Sequence, residues 1–234
     1  MYEDNNSYVT THVSTALRAC LANVYWWMTF ALLISGVAAW AVGTSPELSR
    51  KLVTSPGLCI ILFLVEIGLV LWISAGINKM SASNATALFV AYSLVNGVTL
   101  SFIFIAYTQT VIASAFAVTA GTFAVMAVIG SVTKTDLTRF GNLFLMALIG
   151  LVIASLVNMF WMNNTFSLII SYVGVLVFVG LTAYDAQKIK MMFLEAGMEN
   201  SETVRKIAIL GALSLYLDFI NLFLFILRIF GRRD

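Results

Sequence analysis

Charge is what this sequence has least of. Lys, Arg, Asp and Glu make up 10% of its 234 residues and hydrophobic residues 61%, whereas soluble domains carry about 25% charged residues. Long apolar runs recur from Cys20 to Phe230, which excludes a soluble domain with a single anchor and points to a polytopic membrane protein. A net charge of +2, with no basic stripe interleaved with aromatics, argues against nucleic-acid partners. The one histidine, His12, precedes the first apolar run. A histidine-dependent hydrolase or a zinc protease therefore has no base and no ligand set within the membrane. There is no G-x-x-x-x-G-K-[ST] phosphate loop, and no Lys in the last apolar run to anchor a retinal Schiff base. The expectation is a protein that is not an enzyme and holds no cofactor.

Proline and cysteine are also scarce. Pro46 and Pro56 lie at or before the second apolar run, so no predicted span is broken by a missing N–H. Cys20 and Cys59 have no metal-ligand spacing. The topology below sets them at opposite membrane faces, too far apart to bridge, and both read as small buried apolar residues. The opening M-Y-E-D-N-N-S-Y lacks the basic start of a cleaved signal, and the run after it is long enough to span. Residues 1–18 are expected to be a cytoplasmic N-terminal tail, and residues 19–234 a single membrane domain.

What is present is a set of spans. A helix needs about 20 apolar residues to cross a core of about 30 Å. Seven windows qualify: Ala19–Val42, Pro56–Ile77, Ala85–Tyr107, Val111–Val132, Asn142–Met162, Phe166–Gln187 and Ile207–Phe230. The connections T-Q-T and N-N-T are short and make their neighbours antiparallel pairs. Lys and Arg set the orientation. With a cytoplasmic N-terminus, the inside segments hold Arg18, Lys79, Lys134, Arg139, Lys188, Lys190, Arg205 and Lys206, and the outside loops hold Arg50 and Lys51. Arg228, Arg232 and Arg233 break the pattern. Two readings fit them: seven true spans with a basic exterior tail, or a last segment that dips in and returns.

Three acids lie within the spans: Glu66, Asp185 and Asp218. A carboxylate at the centre of a spanning helix costs roughly 2.5–3.5 kcal/mol and marks a functional site by default. Asp185 lies less than one turn before Lys188, on a stripe with Thr182 and Gly174. In the last span, Gly211, Ser214, Asp218 and Asn221 share a face through spacings of three and four. If both aspartates enter from the cytoplasmic side they meet in the inner leaflet. Two carboxyls in contact there cannot both ionise cheaply and would share a proton, which makes a proton-sensitive latch. Their oxygens, with Asn221, Ser214, backbone carbonyls and water, also suit a hard cation such as Ca²⁺, although a full site takes six to eight. The plainer alternative is that these acids hydrogen-bond to neighbouring helices and specify packing. Glu66 lies on an otherwise apolar stripe, and Asn96, Gly97, Thr99, Ser155 and Asn158 read as helix-contact residues.

The segments L-T-A-Y-D-A-Q-K-I-K (Leu181–Lys190), L-S-L-Y-L-D-F-I-N-L-F (Leu213–Phe223) and A-F-A-V-T-A-G-T-F (Ala115–Phe123), with R-I-F-G near the end, resemble the Bax inhibitor-1 family, most closely its bacterial inner-membrane branch. The resemblance implies an all-α fold of seven transmembrane helices, with a central C-terminal helix surrounded by two antiparallel three-helix layers. It implies a pH-sensitive calcium leak whose sensor is the pair Asp185 and Asp218, with Ca²⁺ in transient contact with both. The family also uses an arginine near the cytoplasmic end of the second helix as a latch. Here that region reads W-I-S-A-G-I-N-K-M, and Lys79, a point charge without a bidentate fork, is the cation left for the role. Glu66 matches an acidic position of the family and becomes a pore-lining candidate with Ser214 and Asn221. The rival expectation is an interaction protein that modulates a membrane protease or another membrane complex, through the tail Met1–Ser14 and the loop M-M-F-L-E-A-G-M-E-N-S-E-T.

Overall fold

The computed structural model describes residues 2–197 and 201–232, with side chains from Val13 onward. The described residues are helical with short connections: α1 Tyr2–Gly43, α2 Pro46–Thr54, α3 Pro56–Gly76, α4 Ala82–Leu100, α5 Ile103–Ala106, α6 Gln109–Val132, α7 Gly141–Trp161, α8 Asn164–Ala196 and α9 Ser201–Phe230. Seven helices are long and apolar enough to cross a membrane: Val13–Gly43, Pro56–Gly76, Ala82–Ala106, Gln109–Val132, Thr138–Trp161, Asn164–Ala196 and Ser201–Phe230. Each matches one predicted window. The sixth and seventh run on past the expected ends, since Lys188, Lys190, Arg205 and Lys206 are good helix formers that an apolar window leaves out. Much of the loop expected over residues 191–203 is therefore helix, and residues 198–200 lie outside the described residues. Helix α1 likewise takes in much of the expected tail, of whose residues 2–12 only the backbone is described.

Helix starts follow side-chain chemistry. Ser81 caps α4 by accepting from the Asn84 N–H at 3.2 Å; Thr108 does the same for α6 through Val111, and Asn163 for α8 through Phe166 at 2.9 Å. Such caps satisfy N–H groups that the helix itself leaves unpaired. Met162 takes the left-handed conformation, φ 48°, which ends α7 and turns the chain straight into the Asn163 cap. Two local features depart from the expectation. The Arg50–Lys51 loop contains α2, a helix of nine residues with Leu52 as its buried residue. The third span breaks at Ser101, whose hydroxyl donates to the Val98 carbonyl at 2.6 Å, so the side chain competes with the helical ladder. By contrast α9 is one helix of 30 residues, about 45 Å long. It contains no turn at which the chain could dip back.

The chain divides into two compact units, Met1–Ile105 with Ile189–Ser214, and Ala106–Lys188 with Leu215–Asp234. In the first, α1 packs on α4 where Ser35 donates across the helices to the Ser93 carbonyl at 2.6 Å. A side chain at Gly97 would lie 2.6 Å from the Ser35 carbonyl oxygen, so glycine is what lets these helices approach, as in other small-residue membrane contacts. The Glu202 carboxylate accepts from the Ala82 N–H at 2.7 Å and ties the start of α9 to the start of α4. In the second unit, α6 meets α8 where a side chain at Gly130 would collide with the Ala183 backbone. Helix α9 is held there by Phe219 against Phe116 and Phe123, ring centroids 5.5 and 5.4 Å apart, and by Phe225 against Phe178. Gln187 pins the connection before α7, accepting from Leu137 N–H and donating to the Thr135 carbonyl.

Burial separates the spans. In the last one 67% of the apolar window is buried, in α3 and the span containing α7 only 6%. The last helix is thus the most enclosed, and the two least buried present their side chains to lipid. Cys20 is buried and Cys59 half-buried, both free; Cys59 is less enclosed than expected because it lies on the exposed α3.

The Gly130 contact is backbone against backbone and has no slack. Gly130→Ala is expected to lower stability by about 1–3 kcal/mol, read as the unfolding midpoint in detergent. Gly36, around which nothing lies within 4 Å, is the control: Gly36→Ala should leave the midpoint unchanged or raise it, as alanine is the better helix former.

Candidate functional site

The two aspartates of the sequence reading come together in the second unit. Asp218 projects from the enclosed face of α9 and is 5% exposed. Its neighbours along the helix, Leu215, Phe219 and Leu222, are buried as well, so aromatic and aliphatic packing fixes the rotamer rather than a polar partner. Its Oδ2 is buried and has no hydrogen bond. Asp185 stands half-buried on α8, within electrostatic reach of both Asp218 and Lys188. No hydrogen bond joins the two carboxyls. One turn earlier on α8, Thr182 is fully buried and donates back to the Phe178 carbonyl at 2.7 Å; its hydroxyl is spent on its own helix.

An unpartnered carboxylate oxygen in an apolar site is costly, and a nearby second carboxyl adds to the cost when both are charged. Chemically, such a pair is suited to sharing a proton. It can also offer oxygens to a passing cation. Among the described residues no three Asp, Glu, His or Cys side chains gather into a metal set. The oxygen donors within reach suit a brief contact with a hard cation better than a closed site of six to eight ligands.

The other predicted residues are placed as follows. Asn221 is half-buried, and its Nδ2 donates to the Leu217 carbonyl at 2.8 Å, which ties the amide to its own helix and leaves Oδ1 as its contribution. Ser214, half-buried, is assigned with the first unit. Lys79, also of the first unit, is exposed in the turn after α3 and contacts no carboxylate among the described residues. Glu66 is half-buried on α3 and accepts from Asn96 Nδ2 of α4 at 3.2 Å, while its Oε1 is buried without a partner. Asn96 thus acts as the helix-contact residue that its sequence suggests. Ser155 and Thr99 bond to their own helices, and Asn158 Oδ1 has no partner. Lys188 is what the sequence reading missed as a site residue. In the sequence it marks the end of the sixth predicted span, and its spacing of three from Asp185 is the one signal of a counter-charge. Of the segments on which a partner-binding reading rests, Met1–Ser14 and the loop over residues 191–203, residues 1 and 198–200 lie outside the described residues and residues 2–12 are described by their backbone alone.

Residues 17–234 match the family model described as inhibitor of apoptosis-promoting Bax1. The chain is 49% identical over 217 residues to inner membrane protein YbhL of Escherichia coli strain K12, which covers 93% of each chain. It is 45% identical over 213 residues to a protein of Borreliella burgdorferi, 91% of each, and 41% identical over 217 residues to one of Rickettsia prowazekii, 93% of this chain and 91% of its relative. Similarity that runs nearly end to end in both directions, on a fold with seven apolar helices, leaves one assignment: the chain belongs to the Bax inhibitor-1 family of membrane proteins.

Proposed function

We propose that this protein is a proton-sensitive cation leak of a bacterial inner membrane, with Ca²⁺ as the permeant ion and no catalytic chemistry. The observation that carries the reading is Asp218, buried with an unpartnered carboxylate oxygen and within electrostatic reach of Asp185. Membrane helices keep such a group where ions or protons are handled. Similarity to an inner membrane protein supports the location, and the Lys and Arg bias of the loops supports a cytoplasmic N-terminus.

In this mechanism the pair holds a proton in one state and loses it in the other. Protonated, the two carboxyls lose their repulsion and can share a hydrogen bond, and α8 and α9 are drawn together at that level. Deprotonated, they repel and expose oxygens that a divalent cation neutralises. Conduction follows the occupancy of the pair. Asp218 lines or plugs the path, Asp185 shares its proton, and Lys188 holds a positive charge beside Asp185. Ser214 and Asn221 supply polar atoms on the same face of α9. Glu66, with one oxygen on Asn96 and one unpartnered, and Lys79 belong to the first unit, and their roles as pore-lining residue and latch rest on the sequence resemblance alone.

Reconstituted in liposomes loaded with a Ca²⁺ indicator, the wild type should show a flux that changes with pH. Asp218→Asn and Asp185→Asn should each flatten that dependence. A flux that ignores pH and survives both substitutions would overturn the mechanism and favour a protein that acts by modulating a membrane protease or other complex. Glu66→Gln keeps the hydrogen bond to Asn96 but removes the charge. It should lower the amplitude of the flux severalfold while leaving the pH midpoint in place, measured in the same assay.

A further inference from the structure

A groove of about 570 Å³ opens between the start of α7 and the later half of α8, entirely within the second unit. Its lining changes character along its length. At one end stand Arg139, Lys188, Thr138, Asn142 and the Tyr184 side chain; at the other, Phe144, Leu145, Leu148 and Leu181. The polar end lies beside the connection that precedes α7, and the apolar end lies along helix surfaces that face lipid, with Leu145 55% exposed. Lys188 is shared with the surroundings of Asp185, whereas Arg139 and the leucines stand apart from the aspartate pair.

One of the two cations is braced by a neighbouring acid. Asp136 accepts from Arg139 Nε at 3.2 Å, which orients the guanidinium and leaves its outer NH₂ groups unengaged among the described residues. Hydrogen bonds from the Thr138 hydroxyl and N–H, together with Arg139, hold the Asp136 carboxyl below the usual carboxylate range, so this brace persists to lower pH than an ordinary aspartate would allow. Lys188 Nζ lies 5.8 Å from the centroid of the Tyr184 ring, and that ring packs against Phe144 at 5.6 Å. Two solvent-facing cations lining one groove, with hydroxyl and amide groups beside them, match a phosphodiester and its polar substituents. The leucine and phenylalanine floor below matches the first carbons of an acyl chain.

We propose that this groove is a binding site for an anionic phospholipid, with the phosphate between Arg139 and Lys188 and a chain laid along Phe144, Leu148 and Leu181. Basic pockets between spanning helices at a membrane face bind anionic headgroups in this way. The proposal does not depend on the leak mechanism, because lipid occupancy is read without flux.

The test is native mass spectrometry of the purified full-length protein after exposure to an equimolar mixture of phosphatidylglycerol and phosphatidylcholine. The wild type should retain phosphatidylglycerol preferentially. Arg139→Gln with Lys188→Gln should reduce that preference by roughly twenty-five-fold, as each basic group at an anionic surface contributes about a fivefold gain. Arg139→Lys with Lys188→Arg keeps both charges and should keep most of it. Arg50→Gln with Lys51→Gln, on α2, should change nothing. Leu148→Trp, with the charges intact, should lower occupancy by filling the chain path; it tests the site independently if the double glutamine variant fails to fold. Equal retention of both lipids by the wild type, or undiminished preference in the double glutamine variant, would overturn the assignment. Displacement of the bound lipid by excess inorganic phosphate would also overturn it, since that marks a site for a free anion.

Discussion

A bilayer offers no water to a buried carboxylate, and Asp218 places one on the most enclosed helix of the chain. Much else follows from that constraint. The residues around it on α9 are themselves buried, so relief of its charge has to come from a proton, a cation or a neighbouring group rather than from bulk water. Asp185 is the neighbour that the fold supplies, and it worsens the problem when charged. A protein that wanted only packing at this point would gain by replacing both with leucine.

The surrounding structure is built to hold helices close while leaving their polar groups satisfied. Ser35 bridges α1 and α4, Glu202 caps α4 and Gln187 holds the chain before α7. Hydroxyls such as those of Thr119 and Thr182 are folded back on their own helices. Glycine at positions 97 and 130 permits backbone contact where a methyl group would collide. These devices substitute for the hydrophobic drive that lipid removes from helix association.

How much of this is legible in the residues depends on the physical range of each effect. Spans are legible because the membrane imposes a length and a composition on every one of them, and all seven coincide with helices of the chain. Helix ends are less so: the bilayer selects for apolarity only inside its core, and α8 and α9 continue beyond it through charged residues that are good helix formers. The break at Ser101 and the short α2 turn on single hydrogen bonds and one buried leucine, too local to show in a window of twenty. At the site, the residue types and the helical period single out Asp185, Asp218 and the stripe around Asp218. The inward turn of the Asn221 amide depends on a rotamer, which no spacing reveals. Lys188 shows how position misleads, since the same residue closes a hydropathy window and charges a site.

Glu66 and Asp218 answer the plainer reading of the intramembrane acids. Both are carboxylates on spanning helices, and both leave one oxygen unpaired. Glu66, however, is only half-buried and takes a hydrogen bond from Asn96 on the adjoining helix, the arrangement expected of an acid retained to register two helices. Asp218 is more deeply buried, and its Oδ2 takes none. If it served packing, the donors that this chain places so readily elsewhere would reach it, and a single asparagine at the right step of a facing helix would suffice. What stands near it instead is a second acid. Two acids with no hydrogen bond between them do little for packing and repel when both are charged, which sets the middle of α9 apart from the helix-registering contact of Glu66.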